Sequence, residues 1–207
     1  MEKKDFIKLR RDLDDAITYA DFDLAEELAK KALTCAHEQE ALGEMMYFRA
    51  QISIIDEDFE TAIKYLNRAI RYNPKDGAAY NDRALCRIEL DEEEDIDQIL
   101  ADFDKGIEVE PDYASIYHNK GWYLNQIGSH RKAIVYFKKA LSLEPNRAVT
   151  YENLADAYLN LGKKRTAINA FRKAFQCLKP SYVDIKDQIE DKIKILIDGD
   201  EDFLIRE

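Results

Sequence analysis

The sequence predicts an all-α protein assembled from helix–turn–helix units, and three observations lead to this prediction. Residues 114–147 contain two helical patterns that are joined at Gly128-Ser129 and closed by Pro145. Segments on either side repeat the same arrangement of small and aromatic residues. With only seven Gly and four Pro in 207 residues, the chain has little sequence suited to long loops.

The spacing within residues 114–147 has a physical explanation. Gly121 and Ala133 are small residues at the point where the two helices are expected to cross, so the backbones can approach closely. Phe137 and Ala140 are expected to fill the gap toward the next unit. This arrangement resembles the tetratricopeptide repeat, a helix–turn–helix unit of about 34 residues that buries its apolar face only against neighbouring units. The resemblance implies a right-handed α-solenoid.

The same frame predicts five units in chain order and then one terminal helix. The first unit is atypical, as expected for a repeat at the end of an array. The third is longer than the period, and its extra residues are assigned to the turn at Asp91–Gln98. In the terminal helix, apolar residues recur every three or four positions, and this stripe is expected to cover the apolar face of the fifth unit; the alternative is a partner-binding helix. We therefore predict one array over residues 1–198, with repeats at about 6–42, 43–76, 77–113, 114–147 and 148–181, a capping helix at 182–197 and an acidic tail at 199–207.

Several helix starts carry their own signals. Asp21, Asp58, Asp112 and Ser129 each precede a run with helical apolar periodicity. Side chains of this type accept hydrogen bonds from the backbone N–H groups of the first turn, so these residues are predicted N-caps. The segment 181–184 has the S-x-x-D pattern of a capping box and is expected to open the terminal helix.

Charge and composition argue against several classes of function. The formal net charge of -11 opposes binding to phosphate backbones and to anionic lipid surfaces. Cys35, Cys86 and Cys177 are far apart and lack metal-site spacing, so we expect reduced thiols in the core. The N-terminal segment is charged from residue 2, and no run reaches the roughly 18 apolar residues of a membrane span. We therefore expect a cytoplasmic protein.

Motifs for catalysis are absent from the sequence. There is no Gly-rich phosphate loop, no H-E-x-x-H and no G-x-S-x-G, and no Cys or Ser has a plausible histidine partner. The prediction is a protein that is not an enzyme and that needs no cofactor or metal ion.

The resemblance also implies a binding surface. In this repeat family the first helices of successive units line a concave groove that binds extended peptides. An aromatic ring in such a groove supplies buried area, and an amide side chain can donate and accept hydrogen bonds. Carried onto this sequence, the groove-facing positions are Arg10, Asp14, Tyr47, Gln51, Asn81, Leu85, His118, Trp122, Asn125, Glu152 and Asp156.

Two of these residues need separate treatment. The aromatic position of the repeat's own packing is already taken by Tyr117, so Trp122 either contacts a partner or folds against a neighbouring first helix. His118 is expected to be a solvated histidine, which is the commoner case, and no second ligand at metal spacing accompanies it.

One binding mode of related chaperone adaptors is not predicted. Those proteins hold a C-terminal carboxylate with a clamp that includes at least two cations. The corresponding positions of the first three units are Arg10, Asp14, Phe48, Ala78 and Asp82, which supply one cation. The other two windows along the array supply none.

The sequence therefore predicts a non-enzymatic adaptor that binds an extended peptide segment of a protein partner, with no nucleic acid or membrane involved. The alternatives are a self-assembling scaffold and an accessory subunit of an enzyme complex. Self-association would use the acidic segment Asp91–Asp104 or the terminal helix. Basic residues at 130–132 and 163–165 would form a patch for an acidic partner, unless these charged segments are simply solvated.

Overall fold

The computed structural model describes residues 3–90 and 96–198, with side chains described from Phe6 onward. Within those ranges the chain forms eleven helices and no strand, so the prediction of an all-α helical repeat is confirmed. The helices are α1 (Lys3–Thr18), α2 (Phe22–Glu38), α3 (Leu42–Ile55), α4 (Phe59–Tyr72), α5 (Gly77–Leu90), α6 (Ile96–Val109), α7 (Ala114–Gln126), α8 (His130–Leu143), α9 (Ala148–Asn160), α10 (Lys164–Cys177) and α11 (Val183–Asp198). None of these helices is both long enough and apolar enough to span a bilayer.

The helices fall into two compact units. Unit 1 is Met1–Pro111 and contains α1–α6, whereas unit 2 is Asp112–Glu207 and contains α7–α11. Within each unit, helices that follow one another in sequence pack against each other. The single array over residues 1–198 stays a prediction, and the acidic tail 199–207 lies outside the described residues.

The core of unit 1 combines small residues at helix contacts with a few large rings. Alanines at the predicted repeat positions are buried, among them Ala25, Ala32, Ala62 and Ala84. Phe48 and Phe103 are the largest fully buried side chains of this core. A small residue brings two helix backbones together, and a neighbouring ring then fills the space beside the crossing.

Unit 2 shows the predicted crossing most clearly. A Cβ on Gly121 of α7 would lie 2.9 Å from both Cδ1 and Cε1 of Phe137 on α8, and 3.2 Å from the carbonyl oxygen of Ala133. Phe137 is fully buried there, and Phe171 of α10 fills the same role in the following helix pair. The terminal helix α11 packs on α10 and buries Ile189.

Three of the four predicted N-caps stand at helix starts. The Asp21 carboxylate accepts a hydrogen bond from the Leu24 N–H, and the Asp58 carboxylate accepts one from the Thr61 N–H. Ser129 precedes α8 as predicted, but its side chain makes no capping hydrogen bond. The prediction that Asp112 is an N-cap is wrong. Pro111 and Asp112 form the turn itself, so Tyr113 is the last residue before α7.

The long third unit also differs in part from expectation. The predicted turn Asp91–Gln98 is too long at its C-terminal end, because α6 already begins at Ile96. Apolar residues from Ile96 onward recur with helical spacing, and Ile99 is buried. Residues 91–95 lie outside the described part of the chain.

Candidate functional site

In unit 1 the first helices of the pairs, α1, α3 and α5, meet through polar side chains. Arg10 of α1 donates from Nη1 and Nη2 to the two carboxylate oxygens of Asp76, at 2.8 and 2.7 Å. Its Nε donates to Glu44 of α3 at 3.1 Å, and its guanidinium lies 3.7 Å from the ring centroid of Tyr47. A two-pronged pair with a carboxylate is a strong interaction, so the charge of Arg10 is already matched within the chain.

Asp82 lies at the centre of a second polar group in unit 1. Gln51 Nε2 donates to Asp82 Oδ2 at 2.6 Å, Asn81 Nδ2 donates to Oδ1 at 2.9 Å, and the Tyr47 hydroxyl is also hydrogen-bonded to this carboxylate. The three donors are buried, with exposed fractions of 5% or less, whereas Asp82 is partly exposed. Burial raises the pKa of Asp82 to about 6, and the nearby charge of Asp14 adds to the shift, although the three hydrogen bonds oppose it.

Two arginines of α5 point toward α6 instead. Arg83 Nε and Arg87 Nη1 donate to the same carboxylate oxygen of Asp102, at 2.9 and 2.8 Å. Arg83 also reaches Asn67 of α4 at 2.7 Å. Asp102 is 5% exposed. This member of the acidic segment Asp91–Asp104 therefore lies in the interior of unit 1 and is not solvated.

In unit 2, His118 of α7 is buried rather than solvated. Its Nδ1 lies 2.9 Å from Thr150 Oγ1, and its Nε2 lies 3.4 Å from Asn153 Nδ2. Burial lowers the pKa of His118 to about 3, and the positive charge of Arg147 acts in the same direction. The expectation of a solvated histidine is therefore wrong, because α9 covers both ring nitrogens with polar side chains.

Trp122 and Asn125 lie farther along α7. Asn125 Oδ1 accepts a hydrogen bond from Asn160 at 3.3 Å and lies 2.7 Å from His130 Nδ1. Trp122 is partly exposed. Among the described residues it makes no hydrogen bond, ion pair or ring contact, so its indole can accept a contact from outside the chain.

The acidic side chains of α9 face α11. Lys192 Nζ donates to Glu152 Oε1 at 2.6 Å. Burial raises the pKa of Asp156, while the charge of Lys192 lowers it and that of Glu152 raises it. Lys192 thus holds α11 against the acidic side chains of α9.

Chemistry beyond binding has little support in the described residues. They contain no group of three or more His, Cys, Asp or Glu side chains arranged to hold a metal ion. All three cysteines are free, and burial raises the pKa of the Cys86 thiol, which makes the reactive thiolate scarce.

The eleven predicted groove positions are thus distributed over both units. Those of unit 1 (Arg10, Asp14, Tyr47, Gln51, Asn81 and Leu85) form what we name the unit-1 face, and His118, Trp122, Asn125, Glu152 and Asp156 form the unit-2 face. Sequence reasoning missed the partners of these residues, including Asp76, Thr150 and Lys192. It considered Asp82 only for a carboxylate clamp. The single available signal for Asp82 is its place next to Asn81 on the first helix of the third unit.

Family comparisons agree with this architecture. One model of the tetratricopeptide repeat matches residues 43–76 and 114–147, and a second model of the same repeat matches residues 136–169. The first two matched ranges coincide with the second and fourth predicted units. The chain is a tetratricopeptide repeat protein.

Solved structures of tetratricopeptide repeat proteins share the fold. TTC0263 from Thermus thermophilus is 20% identical, with a TM-score of 0.71, over 92% of this chain and 98% of that one. YrrB, described as a repeat protein with an unusual peptide-binding site, is 13% identical, with a TM-score of 0.58, over 86% and 88% of the two chains. MamA is 22% identical, with a TM-score of 0.58, over 83% and 91%. At these identities the likeness concerns the fold alone.

One curated relative is similar over a shorter stretch. The Hsp70-Hsp90 organizing protein of Triticum aestivum is 38% identical over 65 residues, which is 31% of this repeat protein. The match covers 11% of the length of the wheat protein.

Proposed function

We propose that this tetratricopeptide repeat protein is a non-enzymatic adaptor that binds an extended peptide segment of a protein partner through its first helices. In unit 1 the binding residues are those of the unit-1 face, and in unit 2 they are those of the unit-2 face. The buried members Tyr47, Gln51, Asn81 and His118 form the floor, and the partly exposed members make the outer contacts. Self-assembly and a role as an accessory enzyme subunit stay alternatives.

Three considerations support a peptide ligand. Both faces combine aromatic rings with amide or carboxylate groups, a combination suited to an extended backbone that carries one N–H and one C=O per residue. YrrB, which shares the fold, is described as having a peptide-binding site. The protein with the matching segment in wheat is described as organizing Hsp70 and Hsp90, which are themselves proteins.

Trp122 is the observation that carries the proposal. A large aromatic side chain that is partly exposed and has no polar or ring partner in the described chain gains from burial against a ligand. Tryptophan is among the residues that most often dominate binding energy at protein interfaces. Trp122 lies one helical turn beyond His118. The contacts of His118 with Thr150 and Asn153 join α7 to α9 and so fix the position of the Trp122 indole.

The test starts from peptides selected out of a random display library with the purified full chain. Dissociation constants of the selected peptides are then measured by fluorescence anisotropy for the wild type and for Trp122→Ala. We expect at least tenfold weaker binding by the variant, since a buried tryptophan at an interface contributes about 2 kcal/mol or more. Tyr72→Ala is the matched control, because Tyr72 is an exposed aromatic residue on a second helix, α4.

Two results would contradict the proposal. Either no peptide is enriched by the wild-type chain, or Trp122→Ala and Asn125→Ala bind every selected peptide as the wild type does. Circular dichroism of each variant separates loss of binding from loss of fold.

A further inference from the structure

The unit-1 face, taken together with the carboxylates that border it, carries an excess of negative charge. Asp14 belongs to this face, and Glu44, Asp76 and Asp82 border it, whereas Arg10 is its cation. Arg10 is already engaged by Asp76 and Glu44. Within the described residues Asp82 therefore receives none of this positive charge through a direct contact; its hydrogen-bond partners are amides and a phenol.

The other arginines of α3 and α5 point away from this face. Arg83 and Arg87 both pair with Asp102 of α6, and the guanidinium of Arg49 lies 5.9 Å from the ring centroid of Tyr65 on α4. Each cation is thus used to join a first helix to a second helix. Among the six positions of the unit-1 face, Arg10 is therefore the one cation, and it is paired with Asp76 and Glu44.

Asp82 is the group most affected by this arrangement. Its hydrogen-bond donors are two amides and a phenol, and within the described residues it has no cationic partner. Hydrogen bonds from neutral donors compensate a desolvated carboxylate less well than a cation does. Burial and the charge of Asp14 accordingly raise its pKa.

We propose that the partner segment bound by the unit-1 face carries a lysine or arginine, whose cationic group is received by the carboxylates of Asp82 and Asp14. This inference rests on the proposed function, because it specifies the chemistry of the same peptide ligand. Gln51 and Asn81 hold the Asp82 carboxylate in place by the hydrogen bonds described above.

The experiment compares matched peptides. A basic peptide from the display selection is synthesised with acetylated and amidated ends, and a second version replaces its lysine or arginine by norleucine, which has no charge. Binding of both peptides is measured for the wild type, Asp82→Asn, Asp14→Asn and Asp15→Asn. Asp15→Asn is the matched control, because this substitution removes the same charge from an exposed position of α1.

The expected result is an enrichment of lysine or arginine among the selected peptides and about tenfold tighter binding of the basic version by the wild type. Asp82→Asn should abolish most of this preference, because it should weaken binding of the basic peptide much more than binding of the norleucine peptide. Asp14→Asn should reduce the preference by a smaller factor, and Asp15→Asn should retain it. This double comparison isolates the interaction between the two charges.

A pH series adds an independent measurement. Since Asp82 has a pKa of about 6 and receives the cation only when ionised, affinity for the basic peptide should fall about tenfold from pH 7 to pH 5. The groups that face Asp82 are Asp14, Tyr47, Asn81, Gln51 and the Cys86 thiol, with Arg10 over the ring of Tyr47. Asp82→Asn should flatten the pH series.

The inference is overturned if selected peptides bind with no preference for a basic residue, or if Asp82→Asn leaves the preference intact. In that case the adaptor function still stands, provided that Trp122→Ala weakens binding. If no peptide is enriched at all, both the function and the inference fail.

Discussion

Asp82, which we propose receives a basic side chain, carries a cost in stability. A carboxyl group whose pKa is raised from 3.8 to about 6 binds more protons in the folded than in the unfolded chain between those two values. The contribution of Asp82 to the free energy of unfolding is therefore highest below pH 3.8 and falls as the pH rises through 6. A residue that destabilises the resting fold is expected where the fold is completed by a ligand.

This sign gives a prediction at the residue scale. Asp82→Asn should increase the free energy of unfolding at pH 7 by on the order of 2 kcal/mol, because the buried charge is removed while the shape of the side chain is kept. The gain should disappear near pH 2, well below both pKa values, where the carboxyl group is protonated in both states. Urea unfolding at the two pH values measures both quantities.

Asp15→Asn again serves as the control, and its effect should stay within about 0.5 kcal/mol at either pH, as for most exposed substitutions. A variant Asp82→Asn that is less stable than the wild type at pH 7 would show that its hydrogen bonds with Gln51 and Asn81 outweigh the burial of its charge.

At the scale of helices, the crossing of α7 and α8 depends on the absence of one side chain. Gly121→Ala would place a Cβ 2.9 Å from the ring of Phe137, which is fully buried and cannot move away freely. We expect a loss of about 1–3 kcal/mol in the free energy of unfolding, the usual range for overpacking a core. Urea denaturation followed by circular dichroism measures it.

Gly43→Ala is the paired substitution. A Cβ there would be 3.5 Å from Tyr72 Cβ, which is an ordinary contact, so the change should be neutral or slightly stabilising in a helix. Equal losses for the two substitutions would mean that the close approach at Gly121 does not determine the packing of this pair.

For the molecule as a whole, the net charge of -11 determines how it attracts a charged partner at long range. Such a field attracts a basic segment over distances that salt shortens to about 10 Å at 0.1 M. The association rate of the basic peptide, measured by stopped-flow fluorescence, should fall several-fold between 50 and 500 mM NaCl. The norleucine version should show a weaker dependence, and identical salt dependences for the two peptides would contradict the charge assignment.

How much of the fold the sequence predicts depends on the range of the interaction. The crossing at Gly121 and Ala133 was predicted, because both residues lie within one repeat and their spacing reflects a local helix pair, whereas the contact of Gly121 with the Phe137 ring was not predicted. The N-caps Asp21 and Asp58 were predicted for the same reason, as each bonds to an N–H three residues ahead. The N-cap prediction for Asp112 was wrong, because the turn that includes Pro111 makes α7 begin one residue later than the pattern indicates.

The candidate site was predictable only as a set of positions. Repeat register places residues on the first helices, but it contains no information about which charge meets which. Asp102 lies in an acidic run that a sequence reader can take for solvated, yet the structure buries it between Arg83 and Arg87. His118 was expected in solvent, and Thr150 and Asn153 enclose it instead.

By itself, the sequence determined the class of fold, the two-helix period and most of the core, because periodicity and residue size act between neighbours a few turns apart. The tertiary structure alone decided which polar groups meet and which charges they bury. Arg10 meets Asp76 and Gln51 meets Asp82 across separations of 66 and 31 residues. Such pairs form only after helices have packed, and the state of Asp82 depends on the burial and charge that result.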